Sequence, residues 1–415
     1  MRDQERPAAR FSRTRHWKVA PEPAFAAALL ALTVVIYAGA ARTQVASSQV
    51  ASAQLDGIFA ALKSSNAPGA AVLVVYDGRT VFRRGYGVTD LHTLHPIDAK
   101  TNFRLASFTK QFTATAIMLL VHDGKLHYDD RLTDFFPEFP AYGKSITIRN
   151  LLNHTSGLED YEELLMNQYP DTAPENVPQI LDAGVLKILE QQNGGKFPPS
   201  SQWEYSNSGY AVLAMVVEKV SGESFGQFLR QRIFVPLKMK NTLAYEQGKN
   251  EVPHRAYGHS WIANAKAAGD TEKIEEKTRD VWQQTDQSPT SAVLGDGGIY
   301  SSLDDLAKWD RALRNHTLLS EAEMLPALTP VQPTAKPAKF PESPNVSYGF
   351  GWFLDPYNGH KRMSHDGSTI GFGTTIQRFP DDKLTIIVLA NRTNINPQEL
   401  ALKVADLYLN PRTKP

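Results

Sequence analysis

Ser107 and Lys110 stand three residues apart in Ser107-Phe108-Thr109-Lys110, the only S-x-x-K in the chain. On a helix that spacing puts both side chains on one face, so the amine can lie beside the hydroxyl. A free serine hydroxyl is a poor nucleophile and needs a base next to it, and a buried lysine can be that base. The same residues also read as a helix-capping serine followed by a solvated lysine. A second element, Tyr205-Ser206-Asn207, falls in a loop between helical runs. A tyrosine beside a lysine can relay protons, and an asparagine two residues on can hold a substrate amide. The third element is His365-Asp366-Gly367-Ser368. The period of a strand puts His365 and Gly367 on one side, the imidazole as donor or proton relay and the glycine letting substrate approach the backbone.

Look-alikes of each element have plainer explanations. Tyr408-Leu409-Asn410 repeats the Tyr-x-Asn spacing in a terminal helix and tail, and His122-Asp123-Gly124 sits at a helix end, where the glycine caps and the histidine suits the dipole. Gly222-Glu223-Ser224-Phe225-Gly226 matches a nucleophile elbow but interrupts two helical runs instead of joining strand to helix. His92 and His95 lack the pattern of a zinc helix, so no metal ligands are assigned, and no glycine loop of the phosphate-binding kind follows a strand, so no cofactor is implied. The pairs Asp129-Asp130, Asp304-Asp305 and Asp381-Asp382 fall at turns or helix starts, where capping explains them.

The elements that must carry these residues can be read from periodicity. Gly69-AAVLVVY and Thr80-VFRRGYGV around Asp77-Gly78 predict a hairpin. Gln111-FTATAIMLLV predicts a buried helix capped by Gly124, and further helices are expected at Ile148-RNLLNHT, Gln179-ILDAGVLKILEQQ and Tyr210-AVLAMVVEKV. Tyr257 to Ser288 is polar and poorly periodic, which suggests a long surface excursion. Strands return at Gly349-FGWFL, Lys361-RMSH, Thr374-TIQRF and Leu384-TIIVLAN, before a helix from Pro397. Strands at both ends around a helical middle imply one sheet completed by both chain ends, a helical lobe beside it, and a cleft between.

Composition narrows the partners. With 44 Lys plus Arg against 44 Asp plus Glu in 415 residues, the net charge is +0 and nothing draws the chain to nucleic acid. There are 0 Cys, which excludes disulfides, thiol nucleophiles and thiolate metal sites. Arg2, Arg6, Arg10, Arg13, Arg15 and Lys18 precede the uncharged run Ala24 to Ala41, an export signal with a cleavage motif at Ala38 and Ala40. The run nearly suffices to span a bilayer, so membrane attachment through residues 24–41 is the alternative to cleavage.

Ser107-x-x-Lys110, Tyr205-x-Asn207 and His365-x-Gly367, in that order and at these wide spacings, resemble the class C β-lactamase and penicillin-binding group of serine hydrolases, which includes esterases and D-peptidases. Val121-HDGKLHYDDRL, Ile146-TIRNLLNHTSGL, Gly297-GIYS and Gly371-FGTTI look like the family's landmarks, so the resemblance runs from about Leu55 to Leu409. It implies an α+β fold, an antiparallel five-stranded sheet flanked by helices with an inserted helical lobe. Residues 1–41 would be a signal peptide or anchor, 42–54 a linker and 55–410 the catalytic domain. The sheet would come from about 55–105 and 345–410, the lobe from about 111–290. Ser107 would attack a carbonyl, assisted by Lys110 and Tyr205, and the backbone N–H groups of Ser107 and Ser368 would hold the oxyanion.

One departure from the lactamase pattern bears on substrate. Many such enzymes carry Lys-Thr-Gly where this chain has His365-Asp366-Gly367. A histidine near its ~6.5 reference pKa is mostly neutral at pH 7, whereas a lysine is a cation for a substrate carboxylate. Unless Lys361, Arg362 or Arg378 compensates, an anionic substrate is disfavoured. The expected activity is an extracytoplasmic esterase or D-peptidase acting on a small molecule or peptide, with weak β-lactamase activity. A true class C-like β-lactamase, a D-Ala-D-Ala carboxypeptidase, and a non-catalytic binding protein on the same scaffold are the alternatives.

Overall fold

A strand buried on both faces reads as an unbroken apolar run, and Ala70–Tyr76 and Leu384–Ala390 are such runs. In the computed structural model, which describes residues 52–265, 279–331 and 348–409, they lie side by side in a five-stranded antiparallel sheet. Ala70 pairs with Ala390, Leu73 with Ile387 and Tyr76 with Leu384. Arg79–Tyr86 flanks the pair on one side, joined to Ala70–Tyr76 by a tight turn in which Asp77 and Gly78 both have positive φ. On the other side lie Phe372–Phe379 and then Met363–Thr369 at the edge.

The sheet separates two cores. Ala71, Leu73, Val75, Ile387 and Leu389 face the larger one, filled by helical residues such as Phe112, Ile117, Leu213 and Val216. Ala70, Val72, Val74, Ile386 and Val388 face a smaller one, closed by Leu55 and Phe59 on one side and by Ala401 and Val404 of the helix Pro397–Ala405 on the other. The helix Lys110–His122 is the centre of the lobe, buried at every position from Lys110 to Leu120. This is the antiparallel sheet with flanking helices and helical lobe that the family pattern implies.

Three expected segments differ. Tyr257 to Ser288 is not wholly irregular, since His259–Ala265 and Arg279–Gln284 form a separate two-stranded ribbon with Trp261 opposite Trp282. Gly349 to Leu354 is not a sheet strand. It makes isolated bridges, and its aromatic residues Phe350 and Trp352 fill the larger core instead. The edge strand extends through His-Asp-Gly to Thr369, four residues past the strand end expected at His365. The apolar run Ala24 to Ala41 and the linker through residue 51 lie outside the described residues. Among the described residues no helix is long and apolar enough to cross a membrane.

Candidate active site

Phe103–Arg104 pairs with Ile299–Ser301, and the Leu105 N–H donates to the Ile299 carbonyl at 2.8 Å. Both contacts anchor the chain just before Ser107. Ala106 then turns sharply, with φ +49°, a region costly for a residue bearing a Cβ. From Thr101 to Leu120 every residue is buried except Ser107, which the turn lifts into solvent. A short 3₁₀ turn, Ala106–Thr109, runs into Lys110–His122, whose N-cap is Thr109, so Ser107 is not the capping serine.

One turn on, the fully buried Lys110 extends its amine back to the Ser107 hydroxyl. Nζ lies 3.0 Å from Ser107 Oγ, 2.8 Å from Asn207 Oδ1 and 3.0 Å from the Asp296 carbonyl. An uncharged amine has two N–H groups and one lone pair. As an ammonium the side chain donates to all three oxygens; once it has lost a proton it keeps its two N–H groups for the two carbonyl-type oxygens and turns its lone pair to the serine hydroxyl.

Asn207 is the first residue of the helix Asn207–Ser221, and Ser206 caps it by accepting from the Gly209 N–H. This fixes the direction of the Asn207 amide. Tyr205, half-buried, presents its ring to Lys110 with Nζ 5.0 Å from the centroid, and it stacks on Phe353 at 6.3 Å. The three separated elements therefore converge on Ser107. A cleft of about 100 Å³ opens there, lined by Arg104, Ser107, Tyr161, Asn207, Asp296 and Ser368 among others.

The His-Asp-Gly element behaves differently from its sequence reading. His365 and Gly367 do share a strand face, both buried against the Ser107 turn. His365 Nδ1 donates to the Asp366 carbonyl at 2.7 Å, and Nε2 accepts from the Tyr348 hydroxyl at 2.9 Å. Neither nitrogen is left for a substrate. The missing side chain of Gly367 makes room for the protein's own backbone, because a Cβ there would sit 2.1 Å from the Leu105 carbonyl. The Asp366 carboxylate points to the other face, bonded by Thr375 and Gln377, and burial pushes it up to about 6. Arg362 pairs with Asp355 and Arg378 with Asp310, and exposed Lys361 is not among the residues lining the cleft.

Burial, and next the Lys110 charge, push the His365 imidazole down to about 3, far from the ~6.5 expected of an unperturbed ring. The unfolded chain therefore takes a proton below pH ~6.5 that the folded chain refuses. Stability from this group is present above pH ~6.5 and is lost as pH falls toward about 3, by up to ~1.4 kcal/mol per pH unit. His365→Gln should flatten that part of the slope, as read by urea unfolding at pH 7.5, 6 and 5. Equal slopes in parent and variant would contradict a buried neutral ring.

Five contributors escaped the sequence reading: Asp296, Asp182, Arg104, Tyr348 and His154. Asp296 acts through its carbonyl, and its helix Leu294–Gly297 is held by the buried Asp182 carboxylate, which accepts from the Leu294 and Gly295 N–H groups at 2.8 and 3.0 Å. Burial pushes Asp182 up to about 7 and raises Asp296, whose carboxylate accepts from the Tyr161 hydroxyl. Arg104 ties the same loop down through the Gly297 and Ser291 carbonyls at 3.2 and 2.9 Å. Tyr348 holds His365, and His154 holds the Tyr205 loop. Of the look-alikes, Ser224 caps the helix Phe225–Leu229, Gly222 and Gly124 sit at helix ends with positive φ, and Tyr408 packs its ring at a tilt against Tyr76.

The beta-lactamase family model matches residues 55–409. Penicillin-binding protein 4* of Bacillus subtilis is 31% identical over 360 residues, 86% of this chain and 75% of that protein. A D-aminopeptidase of Brucella canis is 27% identical over 351 residues, 84% of this chain and 61% of the relative. Among solved structures, the D-amino acid amidase of Ochrobactrum anthropi with D-phenylalanine superposes with a TM-score of 0.68 at 24% identity, covering 86% of this chain and 98% of that one. The fold, the matched span and these relatives agree: the chain belongs to the beta-lactamase family of serine hydrolases.

Proposed function

We propose that residues 55–410 form the catalytic domain of an extracytoplasmic serine hydrolase that cleaves esters or D-amino-acid amides and peptides through an acyl-enzyme on Ser107. The observation that carries this is the Ser107 hydroxyl, at the floor of the cleft, 3.0 Å from a buried lysine amine that Asn207 also holds. Lys110 takes the hydroxyl proton as Ser107 Oγ bonds to the substrate carbonyl carbon. The carbonyl electrons move to oxygen and return as the C–O or C–N bond to the leaving group breaks. Lys110 and Tyr205 pass the proton to that group, and water then hydrolyses the ester.

The Ser107 and Ser368 N–H groups are the proposed oxyanion donors. Along the edge strand the Ser364 N–H points outward, donating to Phe353 at 2.9 Å, and alternation by two gives Ser368 the same direction. Preorganised donors of this kind contribute about 3–4 kcal/mol each where they have been removed in other enzymes. Export, or attachment through residues 24–41, rests on the arginine-flanked apolar run near the N-terminus.

Slow β-lactam turnover follows from the charges around the cleft. His365 is neutral and spent, and Arg362 and Arg378 are paired elsewhere. The D-aminopeptidase and D-amino acid amidase relatives support the amide branch. The test is side-by-side hydrolysis of nitrocefin, p-nitrophenyl esters of increasing chain length, a D-amino acid amide and a D-Ala-D-Ala peptide. An ester or D-amide should be turned over fastest. Nitrocefin equal to the best of them would make the protein a β-lactamase, the peptide alone a carboxypeptidase, and no turnover with no Ser107 adduct a binding protein on this scaffold.

A further inference from the structure

His154 follows the helix Ile148–Leu152 in the left-handed region, with φ +61°, and is 1% exposed. A residue with a Cβ stays in that region only where its surroundings impose it. Here the imposed turn lets one residue meet the neighbouring loop twice. The His154 carbonyl accepts from the Glu204 N–H at 3.0 Å, and its Nδ1 accepts from the Ser206 N–H at 3.1 Å. The backbone is thus gripped on both sides of Tyr205. The imidazole also lies 4.4 Å from the Tyr205 ring and 4.5 Å from Tyr348, centroid to centroid.

Because Nδ1 accepts, the ring proton is on Nε2, a buried atom without a hydrogen-bond partner. Burial above all holds the imidazole well below its ordinary pKa, so Nδ1 keeps its lone pair across the working pH range. A histidine that served only to fill the core would not need this acceptor.

We propose that His154 is a positioning residue for the reaction, gripping the backbone on both sides of Tyr205 so that the phenol stays beside Lys110 and the Asn207 amide stays on its Nζ. The inference rests on the serine-hydrolase reading above. It separates from a packing role because an asparagine Oδ1 can occupy the place of Nδ1 and tolerates positive φ, although it fills far less of the site. Phenylalanine does the reverse, and a glutamine amide reaches toward the Nε2 position instead.

The experiment measures kcat, KM and thermal midpoint for the parent, His154→Asn, His154→Gln and His154→Phe on the best ester, with the rate of Ser107 labelling by a fluorophosphonate. His154→Phe is expected to lose about 10- to 100-fold in kcat with KM changed less than about threefold, and to label proportionately more slowly. His154→Asn should recover most of the rate while losing more thermal stability than His154→Phe, so activity and stability rank in opposite orders. If His154→Phe does not fold, His154→Gln against His154→Asn makes the same comparison. Activity that simply follows thermal midpoint, or a His154→Phe or His154→Gln enzyme with parental kcat, overturns the positioning role. A parent that neither hydrolyses nor labels overturns the hydrolase reading itself, and this role with it.

Discussion

Ser107→Ala should abolish turnover of every substrate the parent accepts, with kcat/KM falling on the order of 10⁴-fold or more. The cost in stability should be small, because the side chain reaches solvent and the Ser107 hydroxyl is one of three partners of Lys110. A fluorophosphonate or penicillin probe followed by peptide mapping should place the adduct on Ser107 in the parent and nowhere in the variant. Ser224 is the internal control, since it also sits in a serine motif but spends its hydroxyl capping Phe225–Leu229. An adduct on Ser224, or an active Ser107→Ala enzyme, ends the proposed mechanism.

Lys110→Arg should be nearly as damaging, about 10³-fold or more in kcat/KM, while folding to a similar thermal midpoint. Arginine keeps the charge and can still donate toward Asn207 Oδ1 and the Asp296 carbonyl, but it has no lone pair to take the serine proton. Lys110→Met is the less informative change. It leaves both oxygens without their buried donor, which costs about 1–3 kcal/mol for each one, so lost activity could reflect lost structure. Substantial turnover in a stable Lys110→Arg enzyme would show that positive charge alone is enough and that some other group is the base.

What could be read from the sequence was what local spacing encodes. Ser107 and Lys110 meet because three residues on a helical turn must, and Asp77-Gly78 between two β-rich runs marks its own hairpin. The apolar runs Ala70–Tyr76 and Leu384–Ala390 identify central strands because both of their faces are covered. The contact of Lys110 with Asn207 spans 97 residues, and only the order of family motifs pointed to it. Asp296 left no trace, since it serves Lys110 through a carbonyl that any residue type supplies.

The misreadings share that origin. Gly349 to Leu354 has the aromatic content of a strand but uses it to fill the core, and the Trp261–Trp282 ribbon lies apart from the main sheet, in a stretch without an apolar period. His365 was assigned a chemical task from its residue type. Its burial and its two hydrogen-bond partners, which reassign it to holding the site together, are properties of the fold.

The pairing of Ala70–Tyr76 with Leu384–Ala390 also sets when this protein can become active during its synthesis. The Asn391 amide carbonyl accepts from the Gly69 N–H across 322 residues, and Thr374 holds the Leu105 carbonyl just before Ser107 across 269. A growing chain makes its serine and lysine early but lacks the last strands, so the turn that lifts Ser107 has nothing to brace it. Contacts this distant in sequence slow folding and leave the first hairpin with an unpaired edge until Leu384–Ala390 has been made. The site is thus braced only once Leu384–Ala390 has joined the sheet, and the interval before that closure is when the half-built sheet is most exposed to aggregation and proteolysis.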